Sequence, residues 1–261
     1  MQPDFDGIAI DRMDWLPRVN YAPGADDHTG WYLNGRPGRF LALSWIDALS
    51  KLGPLMHGLD KVIFVNCCIK GHRLDYMRHV DGFYDEHSHN GYDFNGSCLL
   101  ALRKPAVMWT WEAGNIKPDP DSYFQRHLYM GAYPTAPFPG NDHTITPDPK
   151  TDQYYLDYGP LLDAMRGKKW VLSPHCIECD SAKVNLFEVP GGYALPVTFA
   201  GKAESVTVQV RNIPGLKKAK CIAIHPGIEK PVMFAGQFKD GTLELNVPVV
   251  RGCAMVLLRN P

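Results

Sequence analysis

The chain of 261 residues lacks an excess of charge of either sign: 27 Lys and Arg stand against 28 Asp and Glu, for a formal net charge of -1. With no basic field to attract a polyanion, nucleic acid is not expected as a partner. Nor is there an apolar run of the roughly 18 residues that a membrane helix needs, so no membrane partner is expected. The first residues, MQPDFDG, carry neither the basic flank nor the apolar segment of a signal peptide. No glycine-rich phosphate loop follows the first candidate strand, which argues against a dinucleotide-binding sheet. The 7 cysteines are an odd number in mostly apolar surroundings and read as reduced and buried. His175, Cys176 and Cys179 have a metal-like spacing, but no second ligand pair follows at a suitable distance. Neither a metal nor a cofactor is expected.

What the chain does have is a repeated acidic phrase. In DFDGIAIDRMDW, Asp4 to Trp15, the apolar Phe5, Ile8 and Ile10 run into Asp11 and Asp14 beside Arg12 and Trp15. That is the pattern of a buried strand whose C-terminal end opens into a polar site. The phrase returns as VDGFYDEHS, Val80 to Ser88, which contains Asp85, Glu86 and His87. Two such strands in one parallel sheet present paired carboxylates at one end, the minimum apparatus for acid/base or nucleophile/acid chemistry. Each aspartate taken singly also fits an ordinary helix cap.

Between and after these phrases, strand and helix patterns alternate. Phe40 to Leu59 repeats apolar residues at helical spacing, with a break expected at Gly53-Pro54; Lys61 to Cys67 is a continuous β-branched run that ends near Asn66. Helical patterns follow near His72 to His79 and at Asp93 to Arg103, then a strand at Ala106 to Trp111 that runs into Glu112. A helix is expected at Asp121 to Met130, a proline-rich strand at Tyr133 to Phe138, and a closing helix at Asp152 to Arg166 before Gly167. The long polar stretch Leu16 to Arg39, with Tyr21, Trp31, Tyr32, Asp26, Asp27 and His28, suits either a lid over a sugar-like ligand or a surface loop.

This alternation predicts an α/β fold of the partial (β/α)8-type parallel barrel over residues 1–167. A full barrel needs eight strands, and only about five strand-helix units fit before Gly167. The remaining staves are therefore expected from a missing N-terminal segment or another chain. Beyond Lys168 the pattern becomes short alternating runs between turn residues, and residues 168–261 read as an antiparallel β-sandwich packed against the barrel. Asp240-Gly241 is its clearest hairpin turn.

A barrel followed by a β-domain, together with the phrases AspGlyIleAlaIleAsp (Asp6 to Asp11) and AspGlyPheTyrAsp (Asp81 to Asp85), resembles the glycoside hydrolases of the α-galactosidase and α-glucosidase superfamily. The resemblance implies hydrolysis of O-glycosyl bonds in a carbohydrate substrate, with Asp11 as nucleophile and Asp85 as general acid/base. Arg12-Met13-Asp14 departs from that family's pattern, and Glu86 directly follows Asp85, so Asp14 is the alternative holder of the role given to Asp11 and Glu86 of that given to Asp85. Asn66, Trp15, Trp111, Glu112 and His87 are candidate substrate contacts at strand ends, while Trp109 and Trp111 are divided between site and core. Two rival readings remain: a metal-dependent hydrolase using Asp85, Glu86, His87 and His89, and a barrel fragment that binds glycans without cleaving them.

Overall fold

Strands rich in β-branched residues pair where both faces can be covered, and side-chain parity then decides what each face carries. The computed structural model describes residues 5–11, 18–21, 31–33, 35–66, 77–86, 91–101, 103–110, 113–137, 145 and 147–259. The chain divides into two compact units, Met1–Trp109 and Thr110–Pro261.

The first unit opens with β1 (Gly7–Ile10), β2 (Val19–Asn20), β3 (Trp31–Leu33), β4 (Arg36–Phe40) and α1 (Leu41–Gly58). It continues with β5 (Val62–Asn66), β6 (Gly82–Asp85), α2 (Gly91–Ala101) and β7 (Ala106–Met108). β1, β5, β6 and β7 lie side by side in that order, and all are parallel. The stretch read as a lid or loop contributes a separate antiparallel sheet in the order β2-β4-β3. The helix expected near His72 to His79 falls mostly outside the described residues. The expected break at Gly53-Pro54 does not occur, since α1 runs through Pro54 to Gly58. Proline forfeits one intrahelical hydrogen bond, and burial of Leu49, Gly53 and Met56 along one stripe outweighs that loss.

The Asp-Gly that opens both acidic phrases has a packing cause. A Cβ on Gly7 would stand 2.3 Å from the Val62 carbonyl oxygen, and one on Gly82 2.5 Å from the Phe64 ring. Only glycine lets neighbours approach so closely at the start of each strand. Asp81 is structural as well: its carboxylate accepts from the Ile63 N–H (2.8 Å) and pairs with His57 Nε2 (3.0 Å).

The second unit opens with a short 3-10 turn, Ala113–Asn115, and continues with α3 (Pro120–Met130), β8 (Tyr133–Pro134) and α4 (Pro149–Asp163). Asp119 caps α3 by accepting from the Ser122 N–H (3.0 Å), and Asp148 caps α4 by accepting from the Lys150 N–H (3.1 Å). Each cap is followed by a proline whose missing N–H would have been unsatisfied in the first turn anyway. The caps set these helices one to three residues ahead of the starts expected from apolar spacing.

Only strands and one short 3-10 turn follow. They are β9 (Lys169–Trp170), β10 (Ile177–Glu178), β11 (Lys183–Val184), β12 (Phe187–Val189), β13 (Gly192–Thr198) and β14 (Ser205–Arg211). The last five are β15 (Lys220–Ile224), β16 (Val232–Phe234), β17 (Gln237–Lys239), β18 (Thr242–Pro248) and β19 (Ala254–Arg259). A seven-stranded sheet has the order β16-β15-β19-β13-β12-β9, with β11 also paired to β13, and a four-stranded sheet has the order β10-β14-β18-β17. Every pairing in them is antiparallel. The expected turn at Asp240-Gly241 joins β17 to β18.

Alternation gives this unit two cores. Val206, Val208 and Val210 of β14 and Leu243, Leu245 and Val247 of β18 meet Leu195, Val197, Val256 and Leu258 of the larger sheet. On the opposite face of that sheet, Phe187, Ala194, Met255 and Leu257 pack with Phe124 and Leu128 of α3 and with Tyr158 and Leu161 of α4. The Phe124 and Tyr158 rings are stacked, 4.9 Å apart, a contact of about 0.5–1.5 kcal/mol beyond its buried area.

Arg251, in the tight turn between β18 and β19, locks this second core. Its guanidinium donates to Asp157 Oδ2 (2.6 Å) and to Asp121, and lies over the rings of Tyr154 and Tyr158 at 5.1 and 5.3 Å. The Tyr158 hydroxyl donates to Asp121 Oδ1 (2.9 Å). Gln125 Nε2 donates to the Arg251 carbonyl (2.9 Å), while its Oε1 accepts from the Phe199 N–H (2.6 Å).

Cys98, Cys176, Cys221 and Cys253 are buried free thiols, and Cys179 is a partly exposed one. Among the described residues no group of three His, Cys, Asp or Glu is placed to hold a metal ion. No helix among them is long and apolar enough to cross a membrane.

Candidate functional site

Side-chain parity along the parallel strands sorts the predicted residues between two faces. Register pairs Ala9 with Phe64 and Phe64 with Gly82, and pairs Asn66 with Tyr84 and Tyr84 with Val107. Paired residues share a face, so Ala9, Asp11, Phe64, Asn66, Tyr84, Glu86 and Val107 point one way. Ile63, Val65, Phe83, Asp85, Ala106 and Met108 point the other way and are buried. The first face is partly open: Asp11 is exposed, while Phe64, Asn66, Tyr84, Glu86 and Val107 are half-buried.

At the C-terminal ends of the strands this open face carries a hydrogen-bonded cluster. Asn66 Nδ2, at the end of β5, donates to Asp11 Oδ1 just beyond β1 (2.7 Å) and to Glu86 Oε1 just beyond β6. A primary amide has two N–H donors, and here each carboxylate takes one. Two hydrogen bonds to a single nitrogen hold the two acceptor oxygens within about 6 Å of each other. Below them the Phe64 and Tyr84 rings meet at 5.4 Å. Carrying the register one residue past Met108 brings Trp109, also half-buried, beside Glu86.

Asp85, expected to open into this site, faces the other way. It is 5% exposed and accepts a hydrogen bond from the Ser97 hydroxyl of α2. The difference from the expected placement is one of parity: consecutive strand residues point to opposite faces, so Asp85 and Glu86 cannot both look into one site. Asp11, Asn66 and Glu86 are thus brought together. Asp14, Trp15, His87, His89, Trp111 and Glu112 lie outside the described residues. Phe64 and Tyr84 were legible as site-facing only from the period of two counted back from Asn66 and Glu86.

No protein-family model and no curated protein sequence matches the chain. Among solved structures, it is similar to a glycoside hydrolase family 30 subfamily 8 xylanase from Clostridium acetobutylicum, with 10% identity, a TM-score of 0.49 and coverage of 88% of this chain and 64% of that one. It is also similar to the catalytic domain of GH30 xylanase C from Talaromyces cellulolyticus, with 12% identity, a TM-score of 0.41 and coverage of 86% and 60%. The corresponding values for the α-fucosidase of Thermotoga maritima are 10%, 0.40, 82% and 56%. The chain therefore spans less than two thirds of the length of each of these three proteins. At these identities and scores the likeness assigns neither an activity nor a catalytic residue to this chain.

Proposed function

We propose that the chain carries the catalytic carboxylates of a glycoside hydrolase, with Asp11 as nucleophile and Glu86, in place of Asp85, as general acid/base. The observation that carries this reading is the Asn66 amide shared between Asp11 and Glu86. It ties two carboxylates from different strands at one sheet end, within about 6 Å of each other, near the roughly 5–5.5 Å of retaining enzymes and short of the roughly 6.5–9.5 Å that leaves room for an inverting water. In a retaining sequence Asp11 attacks the anomeric carbon while Glu86 protonates the departing oxygen. Glu86 then takes a proton from the water that releases the sugar from Asp11. Phe64, Tyr84 and Trp109 supply aromatic faces for sugar C–H groups, and Asn66 holds the pair in register.

The order of the two acidic phrases, nucleophile strand before acid strand, is that of the α-galactosidase and α-glucosidase superfamily and supports giving Asp11 the nucleophilic role. The substrate in this reading is a carbohydrate.

The test is hydrolysis of a panel of aryl glycosides by the chain and by its Asp11→Asn, Glu86→Gln and Asp85→Asn variants, with thermal melts to confirm folding. The expected result is turnover with retained anomeric configuration that falls by about 10²–10⁴ in Glu86→Gln and at least as far in Asp11→Asn. Asp85→Asn should act mainly on stability. Full activity in Glu86→Gln, inversion of configuration, or glycan binding with no turnover of any panel member would overturn the assignment.

A further inference from the structure

The two sheets of the second unit are unequal, and the larger one outruns the smaller at its β12–β9 edge. Register there pairs Lys169 of β9 with Glu188 of β12, and Glu188 with Tyr193 of β13, so the three side chains form one row across three strands. Tyr193 continues this row to Leu258, whose side chain belongs to the core between the sheets. The row therefore lies on the sandwich-facing side of the large sheet, and its last two members, Lys169 and Glu188, are exposed among the described residues.

An open cavity of about 420 Å³ sits over this row, walled by Gly167 and by the hairpin Val189, Pro190, Gly191 and Gly192. That is enough for one or two sugar rings on the scale of ordinary ligand sites. Tyr193 is half-buried, and burial together with the charge of Glu188 pushes its phenol up, in keeping with a ring held at the cavity floor. Lys169 Nζ and Glu188 Oε1 stand 3.7 Å apart, a loose pair with 55% and 59% of their side chains exposed. An exposed pair of this kind contributes little to stability. The adjacent opposite charges largely cancel, which favours neither an anion nor a cation. What they offer side by side is an ammonium donor and a carboxylate acceptor, next to an aromatic face.

From this arrangement we infer that Lys169, Glu188 and Tyr193 form a binding site for a neutral saccharide, which stacks a C–H face on Tyr193 and shares neighbouring hydroxyls between Lys169 and Glu188. The site lies wholly within the second unit and does not rest on the reading of Asp11 and Glu86.

The probes are xylotetraose, cellotetraose and mannotetraose, tested against the full chain by saturation-transfer NMR and by affinity electrophoresis in gels containing the parent polysaccharides. At least one probe should bind, and Tyr193→Ala should weaken that binding by about tenfold or more, the loss expected when a stacking contact of about 1.4 kcal/mol is removed. Glu188→Gln and Lys169→Ala, both exposed positions that spare the fold, should each weaken it by about threefold or more. Glu86→Gln should leave the Tyr193-dependent binding unchanged. Absence of binding to all three probes at millimolar concentration, or binding that all three pocket variants leave intact, would overturn the inference. Binding lost in Glu86→Gln but kept in Tyr193→Ala would place the saccharide at the carboxylate cluster and equally refute it.

Discussion

Acidification should destabilise the second unit through a single buried imidazole. His127 lies on α3, 3% exposed, with Nδ1 at 2.8 Å from the Tyr123 carbonyl and its ring 4.6 Å from the Tyr123 ring. A carbonyl only accepts, so Nδ1 carries the proton of the neutral tautomer. Burial lowers the imidazole from the ordinary 6.5 to about 4; the Tyr123 carbonyl opposes this weakly and the charge of Arg126 reinforces it. The unfolded chain binds this proton as pH falls through about 6.5, whereas the folded protein binds it only near 4. The stabilisation is complete above about 6.5 and is lost progressively between there and 4. At about 1.36 kcal/mol for each pH unit across that window, the loss amounts to about 3 kcal/mol. Urea unfolding of the protein and of His127→Gln at pH 7, 6, 5 and 4 isolates it, because the other titrating groups cancel in the difference. The stability difference between the two proteins should shrink by about 3 kcal/mol from pH 7 to pH 4. Parallel curves, differing by a constant within about 0.5 kcal/mol, would refute the claim that His127 is held neutral by burial.

Three further outcomes follow from contacts described above. Arg251→Met should destabilise by about 2–4 kcal/mol, since it leaves Asp121 and Asp157 without their guanidinium and removes the stack on Tyr154 and Tyr158; calorimetry of the two proteins measures it. Gly7→Ala should cost about 2–4 kcal/mol, because its Cβ meets the backbone of Val62. Its aryl-glycoside turnover should fall further than its melting temperature suggests, as β1 delivers Asp11. Asn66→Leu should keep a near-wild-type melting temperature yet lower kcat by about tenfold or more, because the carboxylates lose the amide that positions them; an unchanged kcat would show that the bridge has no catalytic role.

Much of the layout was legible because it is written locally. The β-branched run VIFV marks β5, Asp119 announces the start of α3, and Asp240-Gly241 fixes the turn between β17 and β18. β10 and β17 were not anticipated: they are two and three residues long, too short for alternation to register, and exist because longer neighbours pair with them. At the candidate site, the sequence supplied the carboxylates and Asn66, but of the adjacent pair it favoured Asp85, which is turned to Ser97, while Glu86 meets Asn66. Whether Asp85 or Glu86 faces the site depends on where β6 meets its neighbours, a register in which Gly82 of the phrase lies against Phe64, a partner that the phrase does not name. The bridge from Asn66 spans 55 positions to Asp11 and 20 to Glu86, beyond the reach of any local pattern.

The shared core of α3, α4 and the large sheet governs where this polypeptide can be cut. Strand-only sequence begins at Lys169, which makes that point look like a natural place to excise a free-standing β-domain. An excision there would strip Phe124, Leu128, Tyr158 and Leu161 from Phe187, Ala194, Met255 and Leu257, and leave Arg251 without either carboxylate. The piece that travels intact, whether in limited digestion, in recombination between genes or in a designed fusion, starts near Thr110 and takes two helices with it.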